Sequence, residues 1–232
     1  MFLLSHSNLV RAFQLLGYPH PGKELVFVGI RGCLPVDPLD CAWKPQVRLH
    51  AVELDYIHPR CTLLQWDLAT QRIAAYPGST VPSRLALEKA MRRSGRGANQ
   101  LVEGYYSDYR RGWHRAGAPT GHLGWRQTAA RPIQRSKDDA DIDERDPISR
   151  EIPMDNLHAA WCRSVDGRYS SAGCQVVVGL PCCRQRGSLG DSGPWKLFRE
   201  RGYAAKQERY GYALIGCAKL KSVLGIQGGS RQ

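Results

Sequence analysis

The chain is predicted to fold as a mainly β domain, of the sandwich or barrel kind, with peripheral helices. Three observations carry this prediction. Its 232 residues include 24 Gly and 14 Pro, a composition that calls for many turns. Short apolar or alternating runs bounded by Gly, Pro, Asn, Asp and Ser outnumber the helical patterns. The helical patterns are inserted between groups of strands rather than alternating with them, which argues against a doubly wound parallel sheet.

Taken in order, Ser7-Asn8 can cap a short helix running through Leu16, with Leu9, Phe13 and Leu16 on one face, before Gly17 and the Pro19–Gly22 turn stop it. Leu25 to Ile30 is a continuous apolar, β-branched run and reads as a buried strand. Gly32 to Pro45 holds three prolines and reads as a loop. Gln46 to Tyr56 alternates in part. Cys61 to Tyr76 reads as a hairpin that turns through Ala69-Thr70 and leads into the Pro77–Ser83 bend. Ser83 to Arg93 is the best mid-chain helix, ended by Ser94-Gly95-Arg96-Gly97 and carrying a basic face. Leu101 to Tyr109 and Trp113 to Trp125 are rich in aromatics and glycine; His114 and His122, eight positions apart, make no helical ligand pair.

Ser136 to Arg150 concentrates six acids in an otherwise basic chain and reads as a surface loop, a candidate lid that would also attract an ammonium group. Its acids lack the glycine and terminal glutamate of a calcium loop. Two β-leaning runs follow, Met154 to Trp161 and Gln175 to Val178, joined by a Ser/Asp/Gly-rich connection. Gly179 to Gly193 reads as a loop, Pro194 opens a helix through Lys206, and Arg209 to Ile215 is a closing strand. The expected division is an N-terminal helical segment (1–22), a single β-rich domain (23–218) and a basic, Gly-rich tail (219–232).

Thirty-three Lys+Arg against 21 Asp+Glu leave a net charge of +12, which favours polyanionic partners. No zinc-finger, RRM or KH signature appears, so nucleic acid is not the expected partner. A carboxylate-rich cell wall would also attract such a surface. The eight cysteines form no C-x-x-C pair, which points to mostly reduced thiols rather than a zinc site or a disulfide framework. No run approaches the length of a membrane-spanning helix, and the N-terminus lacks the basic region of a signal peptide.

The chemistry concentrates in Asp155–Gly179. Cys174 follows His158 by 16 positions and closes the turn Ser171-Ala172-Gly173-Cys174. If the two β-leaning runs lie side by side, thiol and imidazole come close in space. A cysteine nucleophile needs such a base within reach and backbone N–H groups aimed at the developing oxyanion. The N–H groups of Gly173 and Cys174 are candidates, with Ser171 in the same turn. Ala172, Trp161 and Tyr169 are expected to contact substrate. The competing reading makes Cys174 a small buried hydrophobe and His158 a satisfied core histidine.

These residues resemble the signature of the L,D-transpeptidase (YkuD-type) catalytic domain. In that family a histidine precedes, by a similar gap, a Ser/Thr-His-Gly-Cys turn, usually followed by a hydrophobic residue and then Arg or Asn. Here Ala172 stands at the turn histidine and Val176 at the Arg/Asn position. The resemblance implies that Cys174 is the nucleophile, His158 the base and Ser171–Cys174 the oxyanion turn of an enzyme acting on peptidoglycan stem peptides, at the cell wall or periplasm. It implies an L,D-transpeptidase-like β-sandwich or barrel over about Thr62–Ile215, with no metal and no cofactor. The alternatives are a basic nucleic-acid-binding protein and a non-catalytic wall-binding module. Selective labelling of Cys174 by a thiol probe is expected only of the enzyme, and Gly173→Val is expected to cost turnover more than stability.

Overall fold

The apolar run from Leu25 to Ile30 is buried on both faces, and the architecture follows from that. The structure, a computed structural model, describes residues 1–22 and 24–226. In chain order the elements are β1 (Phe2–Ser5), α1 (His6–Leu15), β2 (Leu25–Arg31), β3 (Cys33–Pro35), β4 (Gln46–Ala51), β5 (Cys61–Asp67), β6 (Arg72–Ser79) and α2 (Arg84–Ser94). They continue with β7 (Asn99–Leu101), β8 (Gly104–His114), β9 (His122–Arg126), β10 (Arg131–Arg135), β11 (Ile148–Glu151), β12 (Leu157–Ala159) and β13 (Gln175–Val177). A 3-10 turn at Arg184–Arg186, then α3 (Pro194–Ala204), β14 (Tyr210–Gly216) and α4 (Cys217–Leu224), complete the fold.

The protein is mainly β with peripheral helices, as the sequence predicts. Eight strands close a barrel in the order β12-β13-β6-β5-β2-β14-β8-β9, the last seam being the pair Leu157 and Trp125 of β12 and β9. Neighbours run antiparallel except β12 with β13 and β14 with β2. Strand alternation sends Phe27, Leu63, Tyr76, Trp125, Val177 and Tyr212 inward, where Trp195 and Phe198 of α3 join them. The opposite faces of β2, β5 and β14 carry Val26, Val28, Ile30, Trp66, Ala213 and Ile215, which pack under β1, α1 and α4. A strand covered on both sides must be apolar throughout, hence the unbroken run.

The Cys61–Tyr76 hairpin forms as expected, as β5 and β6. So does α2, capped by Ser83 and ended by Gly95 in the left-handed conformation. Other boundaries differ from the expectation. Ser5, not Ser7 or Asn8, caps α1, through a reciprocal pair with Asn8. Residues 2–5 are a strand on β4, and α1 packs into the same core as the barrel's outer face. The expected loop after Gly32 contains β3. The expected basic tail begins inside α4, whose Leu220 and Leu224 are buried; residues 227–232 lie outside the described residues.

β7, β10 and β11 form a small sheet beside the barrel, with the acidic segment as the β10–β11 connection. Asp146 accepts from the backbone N–H groups of Lys137 and Asp143, and Arg84 of α2 pairs with Asp141. The segment is thereby folded on itself and tied to α2.

Candidate active site

Parallel pairing of β12 and β13 sets His158 opposite Val176, two residues beyond Cys174 and on the same face. Leu157 and Ala159 face the barrel interior, so His158 points outward, where Cys174 also lies. One ring nitrogen from each of His158 and His114 lies, with the Cys174 Sγ, within 4.8 Å of the others. These three side chains line a cleft of about 400 Å³ together with Trp161, Ser171 and Ala172. The sequence-based juxtaposition of thiol and imidazole is therefore present.

His158 Nδ1 is 2.8 Å from the carbonyl oxygen of Ala159, which can only accept, so Nδ1 carries the proton and the lone pair sits on Nε2. Burial holds the His158 pKa well below its ordinary value, with further lowering by His114 and His122. At neutral pH this imidazole is uncharged, and burial makes it a weaker base than an ordinary histidine. The Cys174 thiol is pushed up by burial and then by the Asp155 charge, against smaller lowering by the N–H groups of Asn156 and Cys174. At rest the two groups are thus a thiol, which donates to the Met154 carbonyl at 3.6 Å, and a neutral imidazole, not thiolate and imidazolium.

The turn that carries Cys174 is braced from three sides. Ser171 Oγ accepts from the Gly173 N–H at 3.1 Å and donates to the Cys174 carbonyl at 2.8 Å. Gln175 Nε2 donates to the Gly173 carbonyl at 3.0 Å, while its Oε1 accepts from Tyr212 in the barrel interior. Beneath the turn, Asn99 Nδ2 donates to Asp155, whose carboxyl is pushed up to about 7 by burial, opposed by that hydrogen bond and by Arg135 and Arg131. Gly173 has φ +127°, and a Cβ there would overlap Asn99 Nδ2 and stand 2.5 Å from the Asn99 carbonyl oxygen.

Several expectations change accordingly. The Gly173 N–H is engaged by Ser171, so it does not face a bound carbonyl; of the two expected oxyanion donors only the Cys174 N–H stays a candidate, and it lies close enough to its own sulfur to lower the thiol's pKa. Ser171 lines the cleft but holds the turn. The close contact with Asn99 means that a side chain at Gly173 costs stability as well as turnover. Tyr169, expected beside substrate, is buried away from the cleft and donates to the Pro82 carbonyl at 2.9 Å. Trp161 and Ala172 do line it, Trp161 with a left-handed backbone at φ 62°. None of the acidic-segment residues lines this cleft, so that segment is no lid over it. Cys174 is 8% exposed whereas Cys182 is exposed, so a simple alkylating probe meets Cys182 first.

Sequence reasoning set His114 and His122 aside as a helical ligand pair and did not place them beside His158. The β8–β9 register sets them directly opposite each other, and barrel closure brings His114 onto His158 with ring centroids 3.8 Å apart and planes 17° apart. Burial lowers both, His114 to about 3. The cue available in sequence was a hairpin reading of Trp113–Trp125, which sets the two histidines across from each other.

His114, His158 and Cys174 have the donor types of a zinc site. The hydrogen bonds oppose that use. The Gln127 N–H donates to Asn156 Oδ1, which leaves Asn156 Nδ2 to donate to His114 Nδ1 at 3.1 Å. His114 therefore carries its own proton on Nε2 and has no lone pair left for a cation. Comparisons with protein-family models, with curated proteins and with solved structures find no match for this chain.

Proposed function

We propose that this chain is a cysteine acyl-transfer enzyme acting on peptidoglycan stem peptides, a divergent member of the L,D-transpeptidase type whose site of action is the cell wall or periplasm. The observation that carries this reading is one cleft shared by the Cys174 Sγ and a neutral His158 whose lone pair is on Nε2. Because the resting thiol is protonated, proton transfer accompanies attack. His158 Nε2 takes the thiol proton as sulfur bonds to the amide carbon, and the Cys174 N–H stabilises the oxyanion. The C–N bond then breaks, the leaving amine takes the proton from His158, and a thioester remains on Cys174. An acceptor amine gives transfer or exchange, and water gives cleavage, with His158 again accepting the proton. The Ala159 carbonyl orients the imidazole in place of an acid.

The test is to incubate purified protein with defined tetrapeptide stems, with and without a D-amino acid, and to resolve the products by mass. Loss of the terminal residue, with an exchanged product when the amine is present, is expected; free tripeptide as main product even at high amine assigns cleavage. No product, or equal product from Cys174→Ala, returns the chain to a binding role.

A further inference from the structure

A second and larger cleft, about 710 Å³, adjoins the one that holds Cys174, and Ala172 lines both. Ala172 is exposed and ends at a methyl group, so the ridge between the clefts is low. The wall of the second cleft carries four cations, Lys89 and Arg93 of α2, Arg96 beyond it and Arg135 of β10, against one carboxylate, Glu151. Glu151 is already committed to Arg135 at 3.0 Å. Lys89, Arg93 and Arg96 are exposed and have no carboxylate within ion-pair distance among the described residues, unlike Arg84 and Arg92 of the same helix, which pair with Asp141 and Glu88. Asn99, which lines this cleft, is the residue packed against Gly173, so a ligand there lies against the back of the catalytic turn.

We propose that the two clefts form one continuous groove over Ala172, and that its cationic half is a subsite for the carboxylates of a peptide whose scissile amide lies at Cys174. This rests on the reading of Cys174 as the acylated nucleophile. Unpaired cations converging on a concave wall raise the local concentration of an anionic ligand and fix its register. The lining has no aromatic side chain, which removes the stacking platform that single-stranded nucleic acid uses. A peptide with several carboxylates matches both the charge and the acyl chemistry next door.

The experiment measures binding to Cys174→Ala protein, which cannot turn over, by anisotropy of a fluorescein-labelled tetrapeptide stem with free carboxylates and of the same peptide fully amidated. The free-acid peptide is expected to bind at least about tenfold more tightly, and the triple variant Lys89→Gln, Arg93→Gln, Arg96→Gln to erase that difference with an unchanged unfolding temperature. Ala172→Phe, which raises the ridge, is expected to weaken the free-acid peptide in the same assay. Equal binding of the two peptides, or unchanged binding by the triple variant, overturns the subsite, as does an oligonucleotide that binds more tightly than the peptide through the same three cations. Thioester formation on unmodified protein separates the two readings. Acylation equal with both peptides keeps the enzyme and discards the subsite; charge-dependent binding with no acylation keeps the subsite and discards the enzyme.

Discussion

Adding one methyl group at Gly173 probes how tightly the Ser171–Cys174 turn is held. Two costs arise together. At φ +127° an L residue is strained, which costs about 1–3 kcal/mol. The new Cβ would also overlap Asn99 Nδ2 and stand 2.5 Å from the Asn99 carbonyl and 2.6 Å from Asp155 Oδ1, so backbone or the Asn99–Asp155 hydrogen bond must move. Overpacking of this kind costs about 1–3 kcal/mol more. Gly173→Ala is therefore expected to lose roughly 2–6 kcal/mol, which for a chain of this length is a fall in Tm of roughly 5–20 °C. Tryptophan fluorescence during thermal unfolding reads it. A Tm within about 2 °C of the unsubstituted protein would mean that the turn is not clamped against Asn99, and the account of its rigidity would be wrong.

Asp155 makes stability depend on pH. Its folded pKa of about 7 lies above the ordinary 3.8, so between these values the unfolded chain has released a proton that the folded one keeps. Stability falls as pH rises through that window, by up to about 4 kcal/mol, and levels off above it. Urea midpoints from pH 4.5 to 7.5 should fall less steeply for Asp155→Asn, and parallel curves would contradict the buried carboxyl. In a Cys182→Ser background, alkylation of Cys174 should keep rising with pH beyond 9 because burial raises its thiol; a plateau near the ordinary cysteine value, about 8.5, would contradict the neutral resting pair. The buried Cys217 thiol donates to the Cys33 sulfur at 3.0 Å, and this hydrogen bond pushes Cys33 up and Cys217 down. Diamide should oxidise them to a disulfide, found by peptide mapping, and closing a loop that long is worth about 5 kcal/mol against unfolding; two thiols still titrating there after oxidation would refute the pairing.

What could be read from sequence was local. The β5–β6 hairpin and α2 announce themselves through turn residues, Ser83 at one helix end and Gly95 at the other. The approach of His158 to Cys174 follows from two neighbouring strands, and the parallel β12–β13 pair realises it. Features set by distant pairing were not legible. His114 joins the site only because β8 and β9 hold one register and Leu157 pairs with Trp125 to close the barrel. β1 is four residues long and owes its existence to β4. α4 was hidden because Lys219 and Lys221 look like a tail, although Leu220 and Leu224 lie one turn apart on its buried face. The direction of the Gly173 N–H was decided by one rotamer of Ser171, which no spacing encodes.

The most direct test of the central claim is the intact mass of the protein after brief exposure to a defined tetrapeptide stem, quenched in acid and mapped by peptide. The account predicts a single acyl adduct on Cys174, absent from Cys174→Ala and strongly reduced in His158→Ala while both variants keep their fold. An adduct on another residue, an adduct that forms equally without His158, or none at all with folded protein would contradict it.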